Sequence, residues 1–132
     1  MKASGAHWAD RIRHLKVLVV EDDALVGLFL ESLFETVGVE QGVEMAQSLE
    51  AANWLAHSGA FDIALLDVYL NGEPSFAVAE LLQARGIPFA FASGYTCDEV
   101  RQRFPNVPLL AKPFRVAELE RVVNQLLAQG TD

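Results

Sequence analysis

Five strand candidates, most of them short apolar runs, alternate along the chain with stretches of helical periodicity. Lys16-Val17-Leu18-Val19-Val20 is almost wholly apolar, which suits a strand covered on both faces of a parallel sheet. The sequence ALVGLFLESLFETVG comes next, in which Leu25, Leu28, Phe29, Ser32, Leu33 and Val37 trace one helical face and Gly38 is a natural stop. Val39 to Ala46 is a weaker strand candidate. Ser48 then caps a helix through Leu49, Ala52, Trp54 and Leu55 to about His57, ended by Gly59. Ile63-Ala64-Leu65-Leu66 reads as a buried strand that reaches one carboxylate, Asp67, and breaks into the turn-prone Leu70-Asn71-Gly72-Glu73-Pro74. Ser75 to Arg85 is a third helix with Phe76, Val78, Ala79, Leu81 and Leu82 on more than one face, closed by Gly86. Ile87 to Ala92 is a fourth strand, ending at Ser93-Gly94-Tyr95. A short helix from Thr96 to Phe104, capped by Thr96 or Asp98, precedes a loop framed by Pro105 and Pro108. Val107 to Ala111 is the fifth strand, Lys112-Pro113 comes after it, and Val116 to Ala128 forms the last helix with Leu119, Val122, Val123, Leu126 and Leu127 inward.

Strands and helices that alternate five times through short connections call for an α/β fold, a parallel sheet with helices on both faces. Right-handed crossovers leave few topologies, of which a flavodoxin-like five-stranded order 2-1-3-4-5 fits best. That domain occupies residues 16–128, between an N-terminal arm (1–15) and a short tail (129–132). Trp8, Ile12 and Leu15 have roughly helical spacing, and Ala9 to His14 forms a turn or two. A frayed or loosely docked arm is the default for a terminus; a partner-binding or dimer-forming helix is the alternative.

Composition narrows the function classes. The chain has 132 residues, 52% of them hydrophobic, which fits one domain with a proper core. Its net charge of −8 argues against a nucleic-acid surface, which needs clustered Lys and Arg. A lone cysteine, Cys97, forms no internal disulfide and suggests a cytoplasmic protein. No apolar run approaches the roughly 18 residues of a membrane span, and the polar N-terminus has no secretory h-region. His7, His14 and His57 lack metal-like spacing and read as surface groups. Tyr95, Phe104 and Phe114 read as packing residues, and Cys97 as a half-buried small side chain.

The strand ends carry the chemistry. In the order 2-1-3-4-5 the first and third strands are neighbours at the switch point, so Glu21 and Asp22 converge on Asp67. Three carboxylates together need a counter-charge, and Mg²⁺ with its preference for oxygen ligands supplies one. Lys112 ends the fifth strand and adds a second positive charge; Ser93 ends the fourth and adds a hydroxyl donor. A carboxylate nucleophile, a metal, a lysine and a hydroxyl make a phosphoryl-transfer site that yields an aspartyl phosphate. Each residue alone has a plainer reading. Glu21, Asp22 and Asp23 suit a helix N-terminus, Asp67 and Ser93 suit turns, and Lys112 suits solvent. Chance placement of all of them on the right strand ends is what the reading rejects.

With these residues in place, the chain resembles the receiver domain of two-component response regulators, with its CheY-like fold, over about residues 16–128. VLVVEDD is similar to the family's first-strand acid motif, and LLDVYLNG to its phosphoacceptor strand. The resemblance implies Asp67 as acceptor, Ser93 as the hydroxyl residue, and Lys112-Pro113 as the Lys-Pro pair usually joined by a cis bond. It implies direct Mg²⁺ ligation by Asp22, Asp67 and the backbone carbonyl of Tyr69, with Glu21 acting largely through water. PFAFASGY, Pro88 to Tyr95, resembles the PFxFATG(G/Y) signature of the FAT GUY subgroup, with Ser93 in place of Thr.

The resemblance also implies partners and a mode of action. The donor is a sensor histidine kinase, of the HWE/HisKA2 kind by the subgroup's associations. The protein acts as a single-domain receiver, since only Gln129 to Asp132 lie beyond the last helix. It signals by binding a downstream protein or serves as a phosphate sink, as a monomer or weak dimer. It catalyses only its own phosphorylation and dephosphorylation and is not otherwise an enzyme. The family's switch aromatic, three residues before the lysine, is Leu109 here, so Tyr95 or a rearrangement of residues 94–104 replaces it. The competing readings are a phosphorylation-independent interaction module and a phosphatase of the haloacid-dehalogenase type. The second is disfavoured by Tyr69, where that class has a second Asp, and by the lack of cap insertions.

Overall fold

The computed structural model describes residues 5–94 and 98–129; Tyr95, Thr96 and Cys97, and the expectations attached to them, lie outside the described residues. The elements in order are α1 (Gly5–Arg13), β1 (Val17–Val20), α2 (Ala24–Val37), β2 (Val43–Ala46), α3 (Leu49–Ser58) and β3 (Ile63–Asp67). A small hairpin, β4 (Tyr69–Leu70) and β5 (Glu73–Pro74), comes after β3. Then come α4 (Phe76–Ala84), β6 (Phe89–Ser93), α5 (Asp98–Arg103), β7 (Leu109–Ala111) and α6 (Val116–Gln129).

The main sheet has the order β2-β1-β3-β6-β7 with every pairing parallel. This is the flavodoxin-like arrangement, since β6 and β7 are the fourth and fifth strands of the parallel sheet. The three central strands are buried at every position, which explains their unbroken apolar composition. Two cores flank the sheet. One gathers Val17, Val19, Leu30, Phe34, Leu65 and the inward face of α6. The other holds Leu18, Leu66, Leu82 and a set of phenylalanines, Phe76, Phe89, Phe91 and Phe104, whose ring centroids lie 5.3–6.3 Å apart.

Two expectations change. The inward face of α2 is Gly27, Leu30 and Phe34, not the set beginning at Leu25. Leu25, Leu28 and Phe29 stand 77%, 59% and 55% exposed, while Leu33 and Val37 pack partly against the core. Gly27 decides the rotation. A Cβ there would lie 2.3 Å from the Met45 Cε, so the bare backbone lets the helix sit close to β2. The N-terminal arm is not loosely docked at its C-terminal end: Ile12 and Leu15 are buried in the first core. The Glu40 N–H donates to the Arg13 carbonyl, and the Ile12 Cγ2 lies 3.1 Å from where a Cβ on Gly38 would stand. At Gly38 φ is 127°, so glycine there both ends α2 and makes room for the arm.

Candidate phosphoryl-transfer site

The carboxyl ends of β1, β3, β6 and β7 form the rim of one cleft of about 690 Å³, which contains Glu21, Asp22, Asp67, Tyr69, Ser93 and Lys112 in its lining. Register explains the convergence. Val20 pairs with Leu66, so Glu21 emerges beside Asp67; Ser93 pairs with Ala111, so Lys112 emerges beside Ser93. The Lys112 N–H donates to the Ser93 carbonyl at 2.8 Å, and the Lys112–Pro113 peptide is cis. All six residues that the sequence assigned to the site therefore line the same cleft.

The charges are close-packed. One carboxylate oxygen from each of Glu21, Asp22 and Asp67 lies within 4.8 Å of the others. The Lys112 Nζ donates to Glu21 Oε1 at 2.7 Å and contacts Asp67 Oδ1 at 2.5 Å. Glu21 is 3% exposed and Asp67 8%, so the attraction acts in a poorly solvated place. Burial pushes the Asp67 carboxyl up to about 7; the Lys112 hydrogen bond and charge oppose the rise and the Glu21 charge adds to it. Burial also works against the Lys112 ammonium, but Asp67 and Glu21 outweigh it and hold its pKa above the ordinary value. The N–H of Asn71 donates to Asp22 Oδ2 at 2.8 Å, and this bond holds the Asp22 carboxyl below its ordinary value.

With all three carboxyl groups deprotonated, the one ammonium would leave two formal negative charges, which a divalent cation cancels. The ligands are hard oxygens, and the cleft is open enough to leave water on the ion. This donor set fits Mg²⁺ rather than a metal that wants nitrogen or sulfur. Asp23, next to the pair, does what the plainer reading assigned to all three acids: its Oδ1 accepts from the N–H groups of Leu25 and Val26 and caps α2.

Two features went unread in the sequence. The turn after Asp67 is a hairpin whose Asn71 (φ 51°) and Gly72 (φ 83°) take the left-handed conformations of a type I′ connection. The Asn-Gly pair was the available signal. The other is Ser75, fully buried, with its Oγ donating to the carbonyl of Asp67 at 2.5 Å and lying 3.2 Å from that of Val68. A serine before a helix reads as a cap, so nothing in the sequence marks this role.

The fold is shared with solved receivers. A response regulator receiver protein from Sinorhizobium medicae WSM419 is 27% identical at a TM-score of 0.79, covering 90% of this chain and 98% of that one. SdrG from Sphingomonas melonis Fr1 is 37% identical at a TM-score of 0.71, covering 89% of this chain and 97% of that one. The chain has the response regulator receiver fold. The receiver domain of the sensor histidine kinase PA1611 from Pseudomonas aeruginosa PAO1 carries a magnesium ion coordinated in its active site cleft. It is 21% identical at a TM-score of 0.74, covering 86% of this chain and 98% of that one. No family model and no curated protein matches the sequence. Among the described residues of this receiver, no helix is long and apolar enough to cross a membrane.

Proposed function

We propose that this receiver accepts a phosphoryl group on Asp67 from a phosphohistidine of a sensor kinase. The observation that carries the reading is the Lys112 ammonium set between Glu21 and Asp67, with Asp22 and Ser93 in the same cleft. An Asp67 carboxylate oxygen attacks phosphorus, a P–O bond forms, the P–N bond to the imidazole breaks, and the imidazole keeps the electron pair. Lys112 and Ser93 would hold two of the phosphoryl oxygens as charge develops on them. Glu21, Asp22, Asp67 and the Tyr69 carbonyl would hold Mg²⁺, which supplies further positive charge to the same oxygens. PFAFASGY supports membership of the FAT GUY subgroup and hence a donor of the HWE/HisKA2 kind. The domain would then act on a downstream protein or drain phosphoryl groups from the kinase.

The outer face of α2 supports a macromolecular donor. Leu25, Leu28 and Phe29 are exposed beside an apolar groove of about 340 Å³ lined by Val26, Phe29, Leu30, Lys112, Pro113 and Phe114. This groove shares Val26 and Lys112 with the acidic cleft. Exposed apolar surface next to the acceptor suits the helices that carry a phosphohistidine.

The test is incubation with acetyl phosphate and Mg²⁺. Intact mass rises by one phosphoryl group, and Asp67→Asn abolishes the rise. A gain that survives Asp67→Asn refutes the assignment, and no gain in the wild type favours a phosphorylation-independent interaction module.

A further inference from the structure

Ser75 stands at the N-cap position of α4 yet makes no capping bond with its side chain. An N-cap serine ordinarily turns its oxygen toward the first N–H groups of its own helix. Here the hydroxyl points the other way, toward the end of β3. It donates to the Asp67 carbonyl at 2.5 Å and lies 3.2 Å from the Val68 carbonyl, while the Ser75 N–H donates to the Val68 carbonyl at 2.9 Å. The side chain is fully buried, so these bonds have no competition from water.

The consequence is geometric. Residues 69–74 form a hairpin whose two strands must meet at their base, and Ser75 closes that base against Asp67 and Val68. Near the turn the same hairpin is tied to the first-strand acids, because the Asn71 N–H donates to Asp22 Oδ2. The hairpin thus spans the acids contributed by two different strands, held at one end by Ser75 and at the other by Asp22. It also carries Tyr69.

We propose that Ser75 is a positioning residue for the acceptor and its cation: its hydroxyl locks the carboxyl end of β3 to the start of α4, which fixes Asp67 and Tyr69 relative to Asp22. The proposal rests on the reading of Asp67 as phosphoacceptor and Mg²⁺ ligand. It assigns to a buried serine, outside the cleft lining, a share in the precision of the site.

The experiment titrates the full chain with Mg²⁺ in a calorimeter and tracks phosphorylation by acetyl phosphate across Mg²⁺ concentrations. Removing a partner that orients a metal ligand weakens metal binding by about tenfold or more. Ser75→Ala should therefore weaken Mg²⁺ binding by about tenfold and move the Mg²⁺ dependence of phosphorylation by the same factor. Ser75→Thr, which keeps the hydroxyl, should restore both. If Ser75→Ala does not fold, Ser75→Cys, a weaker donor of similar size, is read in the same way. A variant that is less stable to urea but binds Mg²⁺ as the wild type does overturns the proposal, because Ser75 then serves packing alone. Wild-type protein that binds Mg²⁺ and takes no phosphoryl group overturns the phosphoacceptor reading instead, and the calorimetric arm still decides the role of Ser75.

Discussion

Asp67→Asn should stabilise the metal-free protein, and by more in mild alkali than in mild acid. The Asp67 carboxyl is pushed from 3.8 to about 7 by burial, so the folded chain keeps a proton that the unfolded chain gives up near its ordinary value. Its ionisation therefore costs stability that accumulates as pH rises from about 4 to about 7 and is complete above. Each pH unit in that window costs about 1.4 kcal/mol, which makes roughly 1.5 kcal/mol by pH 5 and about 4 kcal/mol by pH 8. The Lys112 charge beside Asp67 spreads the titration, and Lys112 is partly solvated, so about 2 kcal/mol of difference between the two pH values is the expected reading. Asparagine does not titrate, and its other effects cancel when the same pair of proteins is compared at both pH values. Urea melts in a chelator at about pH 5 and about pH 8 measure it: the gap between variant and wild type should widen by about 1 M in midpoint. A gap that stays constant would mean that Asp67 is already ionised in the metal-free fold at the lower pH, and the account of its burial would be wrong.

Because a proton and a cation compete for Asp67, Mg²⁺ affinity measured by calorimetry should rise between about pH 5 and pH 8 and level off above. A flat profile would place Asp67 outside the metal site. Leu28→Arg or Phe29→Glu should slow phosphotransfer from a kinase by about tenfold while leaving acetyl phosphate untouched, since both side chains stand on the exposed face of α2; equal loss with both donors would locate the defect in the site. Ile12→Ala should cost about 2–4 kcal/mol in urea melts, as expected for a side chain buried in the first core. An effect near zero would detach α1 from the fold. Arg103 lies 4.6 Å from the Phe76 ring centroid and 2.8 Å from Glu80, a partly solvated hold of α5 on α4 worth about 1 kcal/mol. Arg103→Ala should speed amide exchange over residues 98–104 by about fivefold with phosphorylation unchanged, and unaltered exchange would refute that hold.

The parts of the molecule that were legible in the sequence are those where one residue type leaves few choices. Val17 to Val20 and Ile63 to Leu66 lack polar positions, which only a doubly covered strand tolerates, and five strands alternating with helices leave few sheet orders. The sheet order then carries the site, because it alone brings Glu21, Asp67 and Lys112 together from distant positions. The face of α2 was not legible for a physical reason. Apolar periodicity cannot separate a face packed on the core from one kept apolar for another purpose, and Gly27, which settles the rotation, has no side chain to count. The docking of Ile12 and Leu15 depends on the room left by Gly38 and on the core that they join, relations between segments that no local pattern reports. Ser75 was missed because a hydroxyl before a helix looks the same whether it caps that helix or reaches back to the strand.

Gly27, Ile12 and Ser75 have in common a role set by what lies across a short gap rather than along the chain. The same holds for the charges of the site. Glu21 and Asp67 are nearly buried, and among the described residues only Lys112 forms an ion pair with either. Such a cluster opposes folding unless its negative charge is neutralised, so the stability of this receiver and the occupancy of its cleft are linked quantities. Whatever cancels the charge must also stabilise the fold, and the stabilisation grows with its free concentration relative to its dissociation constant. Thermal shift against Mg²⁺ concentration thus reads the same binding constant as calorimetry. Because Asp67→Asn removes one of the three carboxylates, it should gain stability without the ion and lose most of the response to it. Those opposite signs from one substitution would be hard to obtain from a carboxylate that merely capped a turn.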